Sequence, residues 1–222
     1  VTPGSDRQDE RFRQLTTPRS AAVAGILFAV LFGTSLVLMR TALPADPFAV
    51  TAWTGSAASR MAAALVLAPF AGIAFLWFIG VVRDRLGDLE DRFFATVFLG
   101  SGLLFLAMAF VSTAVAGGIL AMSRHAGGSE AEIVYFGREV MLQVSNVYAV
   151  RMAGVFMISL GTIWLRTGLM PRWLVMTTYL LSLTLLLVVS LSLWVTLVFP
   201  VWVLVISVFI LAARRPGPTT DG

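Results

Sequence analysis

Arg83-Asp-Arg-Leu-Gly-Asp-Leu-Glu-Asp-Arg92 separates an apolar run at 61–82 from a second at 93–122. Each run is long enough to cross a bilayer, which takes about 20 apolar residues in a helix. The stretch between them holds three Arg and four acids in ten positions. Charges at that density belong in water. Residues 61–122 therefore read as a transmembrane hairpin, and every other segment can be placed relative to it.

Composition agrees with that reading. Hydrophobic residues make up 58% of the 222 and charged residues 13%, and the mean hydropathy is +0.89. Soluble domains are nearer a quarter charged, so this chain cannot cover itself with polar groups in water. Within lipid the backbone must bond to itself, and long apolar runs without strand alternation favour helices over a barrel. There is no Cys, and a single His stands at 125. Thiolate sites and His-rich metal sites are therefore not expected, and no cofactor is implied. All 16 basic residues are Arg, and they gather at helix ends. That distribution points to membrane topology rather than to nucleic acid.

Taken in order, residues 1–20 are polar and of mixed charge, expected as a disordered or loosely helical tail, with no signal-peptide pattern. The first span is expected at 21–39, where Thr34 and Ser35 can return hydrogen bonds to the preceding turn. The segment 40–60 opens with two prolines. Its second half is either an interfacial helix or an early start to span two at 61–82. Span three lies within 93–122, where Gly100, Gly102, Ala107 and Ala109 offer a small-residue surface to a neighbouring helix. Residues 131–146 form an amphipathic helix on the membrane surface or on the bundle, with Ile133, Phe136, Val140 and Val144 at helical spacing. Span four follows at 147–165. The uncharged stretch 173–213 would be about 60 Å as one helix, so two spans joined by a turn fit better. Pro200 is suited to the first turn of the last helix, and 214–222 is a polar tail.

The expected fold is thus an all-α, polytopic transmembrane helix bundle of about six spans over residues 21–213. An even count puts both termini on one side. With the N-terminus inside, Arg7, Arg11, Arg13, Arg19, Arg83, Arg85, Arg92, Arg166, Arg172, Arg214 and Arg215 lie inside, eleven in all. Arg40, Arg60, Arg124, Arg138 and Arg151 lie outside, five in all. The asymmetry predicts N-in and C-in.

Few residues stand out as chemistry. Arg60 and Arg151 flank the outer boundary, close enough to helix ends to snorkel. Their functional reading pairs one of them with Glu139 or Asp46 above an outward-facing cavity that holds an anionic headgroup or substrate. His125 with Glu130 and Glu132 is a weak acid–base grouping, and no span carries an internal carboxylate for a proton relay. Thr177, Thr178, Tyr179, Ser182 and Thr184 in span five either line a pore or are absorbed by backbone bonds.

Gly80-Val-Val-Arg-Asp-Arg-Leu-Gly87 resembles the G-x-x-x-D-R-x-G signature of major facilitator transporters, in the matching turn between spans two and three. There Gly80 would allow close helix packing, Asp84 would face a helix N-terminus beside Arg85, and Gly87 would permit a tight turn. The alternative is an ordinary charged turn, which the continuing Asp88-Leu-Glu-Asp91 favours. The stretch from Leu76 to Gly102, with Leu165-Arg-Thr-Gly-Leu-Met-Pro-Arg-Trp173, resembles uncharacterised actinobacterial multi-pass membrane proteins of domain-of-unknown-function families. That resemblance implies a six-helix membrane protein and carries no catalytic residue.

The reading is a non-enzymatic scaffold, accessory subunit or lipid-interacting protein of a bacterial plasma membrane. Membrane lipids are its expected partners, with a protein partner or a second copy of the chain beside them. The alternative is a minimal transporter built as a dimer of six-helix units. The topology has a direct test, because the chain lacks Cys. Thr219→Cys should react with an impermeant maleimide only from the cytoplasmic side, and Ser123→Cys only from the opposite side. Labelling of both from one side would refute the odd number of spans, three, placed between them.

Overall fold

The structure, a computed structural model, describes residues 5–43, 55–86, 92–123, 131–187 and 193–212. Three long helices come first: α1 (Ser5–Ala42), α2 (Gly55–Leu86) and α3 (Arg92–Ser123). Then α4 (Ala131–Gln143) runs through a π-helical turn (Val144–Ala149) into α5 (Val150–Thr167). The chain closes with α6 (Arg172–Leu187), a 3₁₀ turn (Leu193–Leu197) and α7 (Val198–Ala212). This is an all-α helical bundle, and five of its helical segments are long and apolar enough to cross a membrane. The described part of α6 is 16 residues, about 24 Å and so a little short of a full span.

Helix ends follow local chemistry. Gly168 ends α5 in the left-handed region, at φ 66°, and its N–H donates to the Trp164 carbonyl at 3.0 Å. Only Gly adopts that cap without strain. Pro171 lies just ahead of α6, and its carbonyl accepts the N–H of Leu174 at 3.0 Å. Pro200 lies in the first turn of α7, as expected. Pro69 sits inside α2, where it leaves one carbonyl of the preceding turn without its helical donor. The polar N-terminal segment is helical from Ser5 and continuous with the first span, because extending a formed helix costs little once the span has nucleated it.

The bundle is interlocked by aromatic rings. Phe75 of α2 lies 4.6 Å from Phe28 of α1, 5.4 Å from Phe105 of α3, 5.5 Å from Phe156 of α5 and 5.7 Å from Phe199 of α7. Phe98 stacks on Phe156 at 4.5 Å. The buried face of α3 reads Phe98, Gly102, Phe105, Ala109, Ser112 and Ala116, a helical stripe at the spacing of packed helices. Gly102 and Ala109 do face neighbours, whereas Ala107 is exposed and Gly100 meets nothing. At Gly25 of α1, a Cβ would collide with Ser207 Oγ of α7 and press on Phe78. Gly25 thus sets the approach of α7, which runs antiparallel to α1. Ser20 and Ala212 therefore lie at the same end of the bundle, called here the terminal end.

At the opposite, distal end the helices outrun the hydrocarbon. Glu132–Thr167 is one 36-residue apolar segment, about 54 Å long against a core of about 30 Å. A second small core fills this end: Met39 and Ala42 of α1, Met61 and Ala64 of α2, Ala116, Ile119 and Leu120 of α3, Val134 and Met141 of α4. The first turns of α2, from Gly55, belong to it, so residues 55–59 are the early start of span two; residues 44–54 lie outside those described.

The amphipathic helix packs on the bundle against α3, one of its two expected settings, with its apolar side turned outward. Ile133 and Phe136 are 55% and 69% exposed, while Val134, Arg138, Met141 and Ser145 point inward. In water an apolar face is the buried face. Beside lipid the apolar face turns outward and the polar one toward neighbouring helices.

Two substitutions test this packing. Phe75→Ala removes the ring that touches four other helices and should cost about 3 kcal/mol or more. Gly25→Ala should cost about 1–3 kcal/mol through overpacking, whereas Gly80→Ala, where a Cβ meets nothing, should be neutral. Thermal unfolding in one detergent checks all three. Equal behaviour of the two glycine variants would refute the close approach of α1 and α7.

Candidate functional site

Most polar side chains in the spans are absorbed locally. Thr177, Thr178 and Thr184 donate to the carbonyls of Trp173, Leu174 and Leu180 at 2.9 Å each, and Ser182 to that of Tyr179 at 2.8 Å. Tyr179 Oη is 2.9 Å from Thr162 Oγ1. Trp202 Nε1 donates to Thr178 Oγ1 at 2.9 Å, joining α7 to α6. Two hydroxyls near the distal end instead cross between helices. Ser35 Oγ donates to the Ala64 carbonyl at 2.8 Å, one residue from the carbonyl that Pro69 frees. Ser112 Oγ donates to the Met141 carbonyl at 3.0 Å, where α4 turns π-helical.

The distal end also holds a cluster of arginines. Arg40, in the last turn of α1, is 7% exposed, and Arg138, on the inner face of α4, is 9% exposed. Arg40 Nη2 donates to Asn146 Oδ1 and, at 3.4 Å, to Ser145 Oγ. Both acceptors lie in the π turn. A π turn widens the helix by one residue and re-aims the side chains it carries, and here it turns two neutral oxygens toward the guanidinium. Arg138 Nη1 pairs with the half-buried Glu139 at 2.8 Å. Arg138 is buried on the same inward face as Ser145, the residue that Arg40 reaches. Arg60, half-buried in α2, donates from Nη2 to the Thr41 carbonyl at 3.0 Å. It thereby caps the C-terminus of α1, where a cation is favoured.

Hydrogen bonding is incomplete here. Among the described residues, Arg40 Nε and Nη1, Arg60 Nε and Arg138 Nε are buried without a hydrogen-bond partner. Below the cluster lies a cavity of about 20 Å³, room for about one water. Ser35, Ser112, Thr113, Ser145 and Thr196 contribute its polar wall, and Phe32, Phe105 and Phe199 part of its apolar wall.

The residues singled out in the sequence are thus dispersed. Arg60 and Glu139 belong to the distal end, although Glu139 pairs with Arg138 rather than with Arg60 or Arg151. Arg151 is exposed on α5. Asp84 is exposed on the last turn of α2 and bonds to nothing among the described residues, and Arg85 follows it. Gly80 is exposed with no helix against it. Asp46, Gly87, His125 and Glu130 lie outside the described residues. Arg40 and Arg138, the most buried charges, stood in the sequence only as topogenic residues. Their signal was the helical register of Val134, Arg138, Met141 and Ser145 on one face of α4.

No protein-family model matches the chain, and no curated protein and no solved structure matches it. The fold and the cluster define a multi-pass helical membrane protein with an arginine-lined distal end.

The Arg138–Glu139 pair is partly exposed, so breaking it should be mild. Glu139→Gln should lower stability by about 1 kcal/mol and Arg151→Ala should leave it unchanged, read by thermal unfolding in detergent. A larger loss from Arg151→Ala would place that side chain in a contact that the fold does not give it.

Proposed function

We propose that the chain is a non-enzymatic, lipid-interacting membrane protein that serves as a scaffold or accessory subunit. The bacterial plasma membrane is its proposed location, with both termini on the cytoplasmic side. The observation that carries this reading is the closed aromatic centre, in which most span hydroxyls bond to the chain itself, with buried Ser207 the exception. A transport path needs polar groups facing a passage at mid-membrane. Here the span-five hydroxyls that would line one bond to carbonyls of their own helix or to Thr162 and Trp202.

The second reading is a minimal transporter formed by two six-helix units. The cavity with five hydroxyl residues in its wall favours it, since Ser145 of that wall also accepts from the buried Arg40. Its volume admits no more than about one water as the bundle stands, so transport would require the aromatic centre to open.

Native mass spectrometry of the full chain, released from membranes in mild detergent, separates the two. Retained phospholipid or a stoichiometric second protein is the expected result. A bare homodimer would overturn the scaffold reading and direct flux assays to Asp84→Asn and Arg151→Ala.

A further inference from the structure

We infer that Arg40 and Arg138 form a binding site for a phosphate-ester anion, supplied by the headgroup of an acidic phospholipid in the leaflet at the distal end. The inference rests on the lipid-interacting reading and names its ligand.

Charge is the first argument. Arg40 and Arg138 are 7% and 9% exposed, yet among the described residues the one carboxylate they contact, Glu139, is bound to Arg138 alone. Among those residues Arg40 has only the neutral oxygens of Ser145 and Asn146. These satisfy a hydrogen bond and leave the charge unanswered. A buried charge without a counter-ion costs several kcal/mol. An anion shared between the two arginines removes that cost.

Geometry is the second. The unpartnered nitrogens are Arg40 Nε, Arg40 Nη1 and Arg138 Nε, presented from two helices. A guanidinium offers a planar fork of donors that suits phosphate oxygens. A tetrahedral phosphate can present oxygens to two forks lying in different planes, whereas a carboxylate offers its lone pairs in one plane. Arg60 adds a third positive charge at this end while capping α1.

Depth is the third. Ser20 begins the apolar part of α1. Arg40 stands about 30 Å along the helix from it, one hydrocarbon thickness. That is the level of phospholipid headgroups. The outward side of α4 carries Ile133 and Phe136, apolar surface suited to lipid. A phosphate held at the arginines as part of a lipid keeps its acyl chains beside the bundle, which free phosphate does not.

The test uses the full chain in non-ionic detergent, stripped of lipid. It is titrated separately with phosphatidylglycerol, phosphatidylcholine and inorganic phosphate, and read by melting temperature and by lipid adducts in native mass spectrometry. Wild type should bind phosphatidylglycerol and melt higher with it, and Arg40→Gln and Arg138→Gln should each weaken that binding at least tenfold. Phosphatidylcholine should bind weakly. Stabilisation by inorganic phosphate alone, lost in Arg40→Gln, would keep the anion site but overturn the lipid as its source. Arg40→Met guards against a variant that fails for structural reasons. Without ligand it should melt higher than wild type, because an unanswered charge has gone. With phosphatidylglycerol the order should reverse. An unchanged order, or glutamine variants that bind as wild type does, would overturn the site. Lipid still retained by those variants would leave the lipid-interacting reading standing, whereas no lipid bound by wild type would remove both.

Discussion

Phe75 is the side chain on which the packing of the bundle converges. Its ring lies within 6 Å of rings from α1, α3, α5 and α7. In lipid an apolar side chain gains little by exchanging acyl chains for another apolar side chain, so helices associate through close packing and polar contacts. Aromatic rings suit that task, because each buries a large rigid surface and tilted or edge-on pairs add attraction beyond area. Gly25 and Gly102 stand where such rings or their neighbours approach closely. The large and the small residues are two halves of one solution.

The second constraint is that polar groups away from water need partners. The hydroxyls of α6 meet it through carbonyls one turn back, a bond that any helical Ser or Thr can make. Trp202 and Thr178 meet it across helices. At the distal end the solution changes character. Ser35 and Ser112 reach across to carbonyls of α2 and α4, and the π turn supplies oxygens to Arg40. Regular α-geometry has been given up where a cation had to be accommodated, in keeping with the frequent occurrence of π turns at functional positions. Even so, three nitrogens of Arg40 and Arg138 remain without partners.

The distal core has a consequence for how the protein meets its surroundings. Met39, Met61, Ile119, Val134 and Met141 pack together beyond the aromatic centre, where α3 and the continuous segment Glu132–Thr167 are longer than the hydrocarbon requires. The terminal end has no counterpart among the described residues: there Arg166 sits over the Phe94 ring at 4.7 Å, and Trp173 packs edge-on to Phe209. The two ends of the bundle therefore differ, with the buried arginines concentrated in one.

The sequence by itself determined the helical class, the hairpin at 61–122 and the placement of the spans. A run of about 20 apolar residues in lipid can only be a helix, and charged turns can only lie outside it. It also showed that the span-five hydroxyls had a local alternative to lining a pore, since the backbone acceptor one turn away is always present. What it left open was orientation and contact. Ile133 and Phe136 read as one side of an amphipathic helix lying on the membrane or on the bundle, and Arg138 only as an outer charge counted for topology. The tertiary structure chose between the settings: the helix packs on the bundle with Ile133 and Phe136 outward and Arg138 buried. Only the fold brought Arg40, distant in sequence, against Ser145 and Asn146, and only the π turn aimed those side chains at it. Single-helix periodicity carries no information about which helix stands opposite, so a charge that reads as a topological marker became the most buried cation in the bundle.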